Sequence, residues 1–135
     1  MDIMERFIAR DRFARHLGVE VIAHGPGKAT AAMDVKDHHL NSAGTVHGGA
    51  IFSLADAAFA VASNSHGTLA LAINVSISYL KGATGGRLIA DAEEVAVSAR
   101  LGTYLITVRD GDGHRVALFQ GTVYRKNEPI DDLVT

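Results

Sequence analysis

The chain has 135 residues, 47% of them apolar and 21% charged, no cysteine, and a formal net charge of −2 from 13 basic and 15 acidic groups. That length suits one domain over residues 1–135, and that composition suits a globular protein with its own core. The missing thiols exclude disulfides, thiolate nucleophiles and cysteine metal clusters, and the dispersed charge with 6% aromatic content argues against a nucleic-acid or anionic-membrane surface.

The start, Met1 to Arg6, mixes acids with bases and has no long apolar stretch, and nowhere do about 18 apolar residues run together, so a cytoplasmic protein without a membrane span is expected. Ile3, Met4, Phe7 and Ile8 fall at helical spacing and predict one short amphipathic helix over residues 3 to 15. Val19 to Ala23 and Ala29 to Val35 flank His24-Gly25-Pro26-Gly27, a turn-forming run that predicts a hairpin. A polar segment follows from Lys36 to Ser42.

From Gly48 to Asn64 the chain is rich in alanine and free of proline, which predicts a helix. Asp56 is the only charged residue between 48 and 63, where average composition would supply roughly four. A helix so bare of charge is expected to lie against a sheet. Beyond Gly67, Leu71, Ile73, Val75, Ile77 and Tyr79 alternate with small or polar residues and predict a half-buried strand. Three further strands are expected at Leu88 to Ala99, Tyr104 to Arg109 and Arg115 to Arg125, with turns at Gly82 to Gly86, Leu101-Gly102 and Asp110 to Gly113. Short connections favour antiparallel pairing of successive strands, so the fold class is α+β, with the long helix covering an antiparallel sheet.

Projected at 100° per residue, Gly49, Ser53, Asp56, Ala60, Ser63 and Asn64 share one side of the long helix, with Phe52 and Phe59 flanking Asp56. A carboxylate in such a place is paired, hydrogen-bonded or useful, unless that edge simply faces water. Just upstream, Asn41 to Gly49 forms a glycine-bearing helix entry whose first N–H groups lack intrahelical partners. With no side chain on Gly48, a substrate carbonyl can approach its N–H, and the helix dipole favours the oxyanion formed on attack; a glycine-rich entry with no chemical role is the alternative.

Asn41, His47-Gly48-Gly49, Leu54-Ala55-Asp56 and Asn64-Ser65, with Asn74 to Lys81 and Ala117 to Gly121, resemble the hot-dog-fold acyl-CoA thioesterases, specifically the phenylacetic-acid-degradation (PaaI-like) group. The resemblance runs from about residue 13 to Lys126. It implies a long central helix wrapped by a curved antiparallel β-sheet, edge-to-edge pairing of two subunits, and often a dimer of dimers, that is, a homotetramer. It also implies hydrolysis of an acyl-CoA thioester with no cofactor: Asp56 as nucleophile or general base, and Asn41, His47 and Gly48 contributed by the partner subunit, with Gly48 N–H polarising the carbonyl, Asn41 placing the carbonyl or water, and His47 and Gly49 beside the substrate. One branch of the family carries a serine or threonine near the position of Ala72; here Ser76 or another group is a candidate for that role.

Other groups are weaker candidates. His38 and His39 with Asp34 and Asp37 lack a zinc-type spacing and read as a solvated loop, so no metal is expected. Ser53 stands outside any Gly-x-Ser-x-Gly elbow. Lys81, Arg87, Arg100, Arg125 and Lys126 fall near strand ends, as surface charge or as contacts for coenzyme A phosphates. Two competing functions remain: hydration or dehydration of an acyl thioester with His47 as partner of Asp56, and non-catalytic binding of acyl-CoA.

Overall fold

A computed structural model describes residues 1–135. The chain opens with two short helices, α1 (Ile3–Ala9) and α2 (Arg12–His16), then the hairpin β1 (Val19–Gly25) and β2 (Lys28–Asp34). A turn of 3-10 helix at Asp37–His39 leads to the long helix α3 (Gly48–Asn64). Four strands follow, β3 (Thr68–Tyr79), β4 (Arg87–Val97), β5 (Leu101–Arg109) and β6 (Arg115–Pro129), and α4 (Asp131–Val134) closes the chain. All six strands form one antiparallel sheet in the order β1-β2-β4-β5-β6-β3, curved around α3, which packs against every strand. The expected architecture, a central helix wrapped by an antiparallel sheet, is the one observed.

The helix is anchored through aromatic residues on one flank. Phe52 lies 5.2 Å from Phe119 between ring centroids, and Phe59 lies 5.4 Å from Phe119 and 5.9 Å from Tyr104. Gly121 makes room for this packing, since a Cβ there would stand 2.5 Å from Phe59 Cζ. Alanines at 50, 55, 58 and 62 are buried and let the helix backbone settle close to the sheet.

Several boundaries differ from the sequence expectation. The single helix over 3 to 15 is two helices, because Asp11 caps the second by accepting from Ala14 N–H at 3.0 Å, as Asp2 caps the first in a reciprocal capping box with Glu5. A side chain that satisfies a new helix start interrupts the helix before it. The turn expected at Leu101-Gly102 falls one step earlier, at Ser98 to Arg100, and Gly102 is a buried strand residue beneath Tyr104 and Val123. The last strand runs on to Pro129.

The larger correction concerns β3. Successive strands were expected to pair, yet β3 pairs with β6 and not with β4. The segment between β3 and β4 is tied instead to other elements: Leu80 N–H donates to Val116 O at 2.8 Å, Val46 N–H to Ala83 O at 2.7 Å and Val35 N–H to Gly86 O at 2.8 Å. It thereby crosses near the start of α3 and delivers β4 to the middle of the sheet. As an edge strand β3 is also less buried than its alternation predicts. A register shift between Ala72 and Asn74 interrupts the pattern, Val75 and Ile77 pack on the core, and Leu71 and Ile73 are 51% and 61% exposed. An exposed apolar edge is a template for pairing with another strand.

Candidate active site

The loop that enters α3 is built by side chains on its own backbone. Leu40 and Val46 form an isolated antiparallel bridge, and Asn41 fills the turn between them. Its Oδ1 accepts from Ala43 N–H at 2.9 Å and Thr45 N–H at 3.1 Å, while Nδ2 donates to Thr45 Oγ1 at 2.9 Å. Asn41 is therefore held rigidly, with one Nδ2 hydrogen left for another acceptor.

His39, expected in a solvated loop, is 2% exposed. Its Nδ1 accepts from Lys36 N–H at 2.9 Å, which leaves Nε2–H to donate to Leu17 O at 2.8 Å. Both ring nitrogens are used, so this histidine braces the loop against α2 and has no lone pair for a metal.

His47 is the N-cap of α3, and its Nδ1 accepts from Gly49 N–H at 2.9 Å. The same residue's carbonyl accepts from Ala50 and Ile51 N–H. Gly48 N–H, by contrast, has no acceptor in the chain, although it stands at the positive end of a 17-residue helix. Gly48 lines a groove of about 390 Å³ with Asn41, Tyr79 and Lys81. A second groove, of about 380 Å³, runs past His47, Gly49 and Ser53. Ser53 Oγ donates back to Gly49 O at 2.7 Å, so its hydroxyl is engaged by the helix.

Asp56 is half-buried and accepts no hydrogen bond from the chain. Burial raises its pKa above the ordinary value of 3.8, and the negative charge of Asp11 raises it further. Phe7, Ile8, Ala57 and Ala60 line an apolar groove of about 450 Å³ that Asp11 also borders and Asp56 itself does not line. Of the predicted polar edge, only Ala60 lines this groove. Ser63 and Asn64 are buried, and Asn64 pins the helix end to β3 through Ala70, accepting from its N–H at 2.9 Å and donating to its carbonyl at 3.1 Å.

The structure thus gathers Asn41, His47, Gly48 and Gly49 at one end of α3 and leaves Asp56 apart. Eight residues of helix separate Gly48 from Asp56, a rise of about 12 Å and a rotation of about 80°. A carbonyl within attack distance of one, about 3 to 3.5 Å, is out of reach of the other in the same chain. Two neighbours went unrecognised in the sequence. Asp11 falls there within the single helix expected over 3 to 15, and Tyr79 is one more apolar residue of a strand, yet Tyr79 O–H donates to Gly48 O at 2.8 Å.

Residues 43–117, more than half of the chain, match the model of the thioesterase superfamily. A relative from Archaeoglobus fulgidus is 50% identical over 119 residues, covering 87% of this chain and 77% of its own. The acyl-coenzyme A thioesterase PaaI of Escherichia coli is 38% identical over 116 residues, covering 85% of this chain and 83% of its own. The solved structure of the E. coli PaaI protein superposes with a TM-score of 0.90 at 34% identity, over 93% of this chain and 91% of that one. The chain belongs to the thioesterase superfamily, as a PaaI-like member with the hot-dog fold.

Proposed function

We propose that the protein hydrolyses acyl-CoA thioesters in sites assembled by two copies of the chain. Asp56 comes from one copy, and the Gly48 N–H and Asn41 come from the other. The observation that carries this reading is the pairing of two unsatisfied groups on one helix, a free donor at Gly48 and a half-buried carboxylate with no donor at Asp56, too far apart to serve one carbonyl in cis. The bare apolar edge of β3 supports the association that would bring them together. The relatives' thioesterase names point to the same chemistry.

In the reaction Asp56 takes a proton from water as the water oxygen attacks the thioester carbon, or attacks that carbon itself and is released by water afterwards. In both routes the carbonyl oxygen gains charge against Gly48 N–H, and collapse expels the coenzyme A thiolate, which is protonated. A donor of this kind contributes about 10² to 10³ in rate. The raised pKa brings Asp56 closer to the working pH of a base. The apolar groove lined by Ala57 and Ala60, on the same helix as Asp56, offers space for the acyl group.

The test is a panel of short, medium and aryl acyl-CoAs with free thiol as the readout. Thiol release is expected from at least one class. Conversion of an enoyl thioester without thiol release would replace this reading by hydration, and calorimetric binding of acyl-CoA with no turnover over hours would replace it by a binding module.

A further inference from the structure

Two consecutive glycines at the start of a helix are conformationally loose, since neither has a Cβ to restrict it. In this chain the peptide group between Gly48 and Gly49 is nevertheless held at both ends. Its N–H, on Gly49, donates to His47 Nδ1 at 2.9 Å, and its C=O, on Gly48, accepts from Tyr79 O–H at 2.8 Å. The Tyr79 ring also closes over Gly48, whose absent Cβ would lie 3.1 Å from Cζ and from the hydroxyl oxygen. Tyr79 is itself placed by the sheet, as the last residue of β3 in register with Ala117 of β6. The effect is to fix ψ of Gly48 and φ of Gly49 directly beside the Gly48 N–H, which has no acceptor in the chain.

We infer that Tyr79 is a positioning residue for the Gly48 N–H. Together with His47 it clamps the Gly48–Gly49 peptide and so aims the donor that the thioesterase reading places on the carbonyl oxygen. The inference rests on that reading for its catalytic meaning, whereas the clamp itself is a property of the fold. A phenol that acts through a backbone group should be felt in kcat more than in KM, because the oxyanion exists only after attack.

Tyr79→Phe keeps the ring and removes only the hydroxyl. Loss of one hydrogen bond of ordinary net strength predicts a fall in kcat of about 3- to 10-fold, with KM unchanged within about two-fold. A second measurement, ¹⁵N relaxation of the Gly48 and Gly49 amides, is expected to show lower order parameters in Tyr79→Phe than in the parent chain. An active parent with unaltered kcat in Tyr79→Phe, or amide order unchanged by the substitution, would overturn the inference. A fall in thermal stability with kcat intact would assign Tyr79 a structural role only, which also overturns it. A parent chain with no thiol release on any acyl-CoA would instead sink the thioesterase reading, while the relaxation experiment still decides whether the clamp exists.

Discussion

If each site takes Asp56 from one chain and Gly48 from its partner, two separately inactive variants must rescue each other. Gly48→Pro is suited to the test because it deletes the N–H that one chain supplies, together with any clamp on it, and leaves Asp56 of the same chain in place. Residue 48 is the first residue of α3, where proline's fixed φ and missing donor are tolerated, and His47 at φ −58°, ψ 135° already has the extended conformation favoured before proline. The ring meets Tyr79, a half-exposed side chain that must shift away from Gly48, which adds loss of its hydrogen bond to loss of the donor. Loss of the donor is expected to reduce kcat by about 10²- to 10³-fold. Asp56→Asn removes the carboxylate from the other half of the site. With equal amounts of the two chains and free subunit exchange, half of the sites draw residue 56 from the Gly48→Pro chain. Half of those draw residue 48 from the Asp56→Asn chain. About one quarter of sites are then complete, so thiol release should recover to about a quarter of the parent rate. The distance argument sets the contrast: about 12 Å of helix rise forbids a complete site within one chain. If the mixture releases thiol no faster than the average of the two variants, the shared-site geometry is wrong.

Asp56 also makes a prediction about stability. The folded chain holds the Asp56 proton more tightly than the unfolded chain does, so stability falls as pH rises from the ordinary carboxylate value of 3.8 through the higher folded value. Asp56→Asn should therefore be more stable than the parent at pH 7, by an amount on the order of 1 kcal/mol given the group's remaining contact with solvent, and the gap should close below about pH 3.8. Denaturant titrations at pH 7 and pH 3.5 measure it, and a less stable variant at pH 7 would contradict the account. The same shift places the acid limb of kcat/KM above 3.8, with activity rising through it, and a limb at or below that value would mean that Asp56 is not the titrating group. Gly121→Ala drives a Cβ to within 2.5 to 2.9 Å of three ring carbons of Phe59, which Phe119 and Tyr104 hold in place. Overpacking of this kind costs about 1 to 3 kcal/mol, so Tm should fall by roughly 3 to 15 °C, and an unchanged melt would refute the packing.

What could be read from the sequence was whatever is local. The bounds of α3 are visible because alanine content, absence of proline and the lone Asp56 all concern adjacent residues. The hairpin of β1 and β2 is likewise announced by its own turn. Asp11 shows the limit of a hydrophobic pattern, which continues through a residue whose side chain starts a new helix. The partner of β3 was invisible because its pairing with β6 depends on where the segment after Tyr79 is tied, through Val116, Ala83 and Gly86. The candidate site divides in the same way. Gly48, Gly49 and His47 were found as a contiguous helix entry, whereas the role of Tyr79 depends on a hydrogen bond 31 residues away in sequence. Asn41 was visible as part of that entry, but its existing bonds to the loop, which leave a single free N–H, follow from the conformation of residues 41 to 45. His39 reads as polar and exposed because burial with both nitrogens satisfied needs Leu17 O, 22 residues away.

The role of Asp56 in thioester cleavage is tested most directly by Asp56→Asn and Asp56→Ala on the best acyl-CoA substrate of the parent chain, with released thiol followed at neutral pH. Both variants should remain folded and bind acyl-CoA, and both should lose at least about 10²-fold in kcat, the scale of a positioned base. Retention of full activity by both would contradict the account, since no other carboxylate occupies that helix between residues 48 and 63.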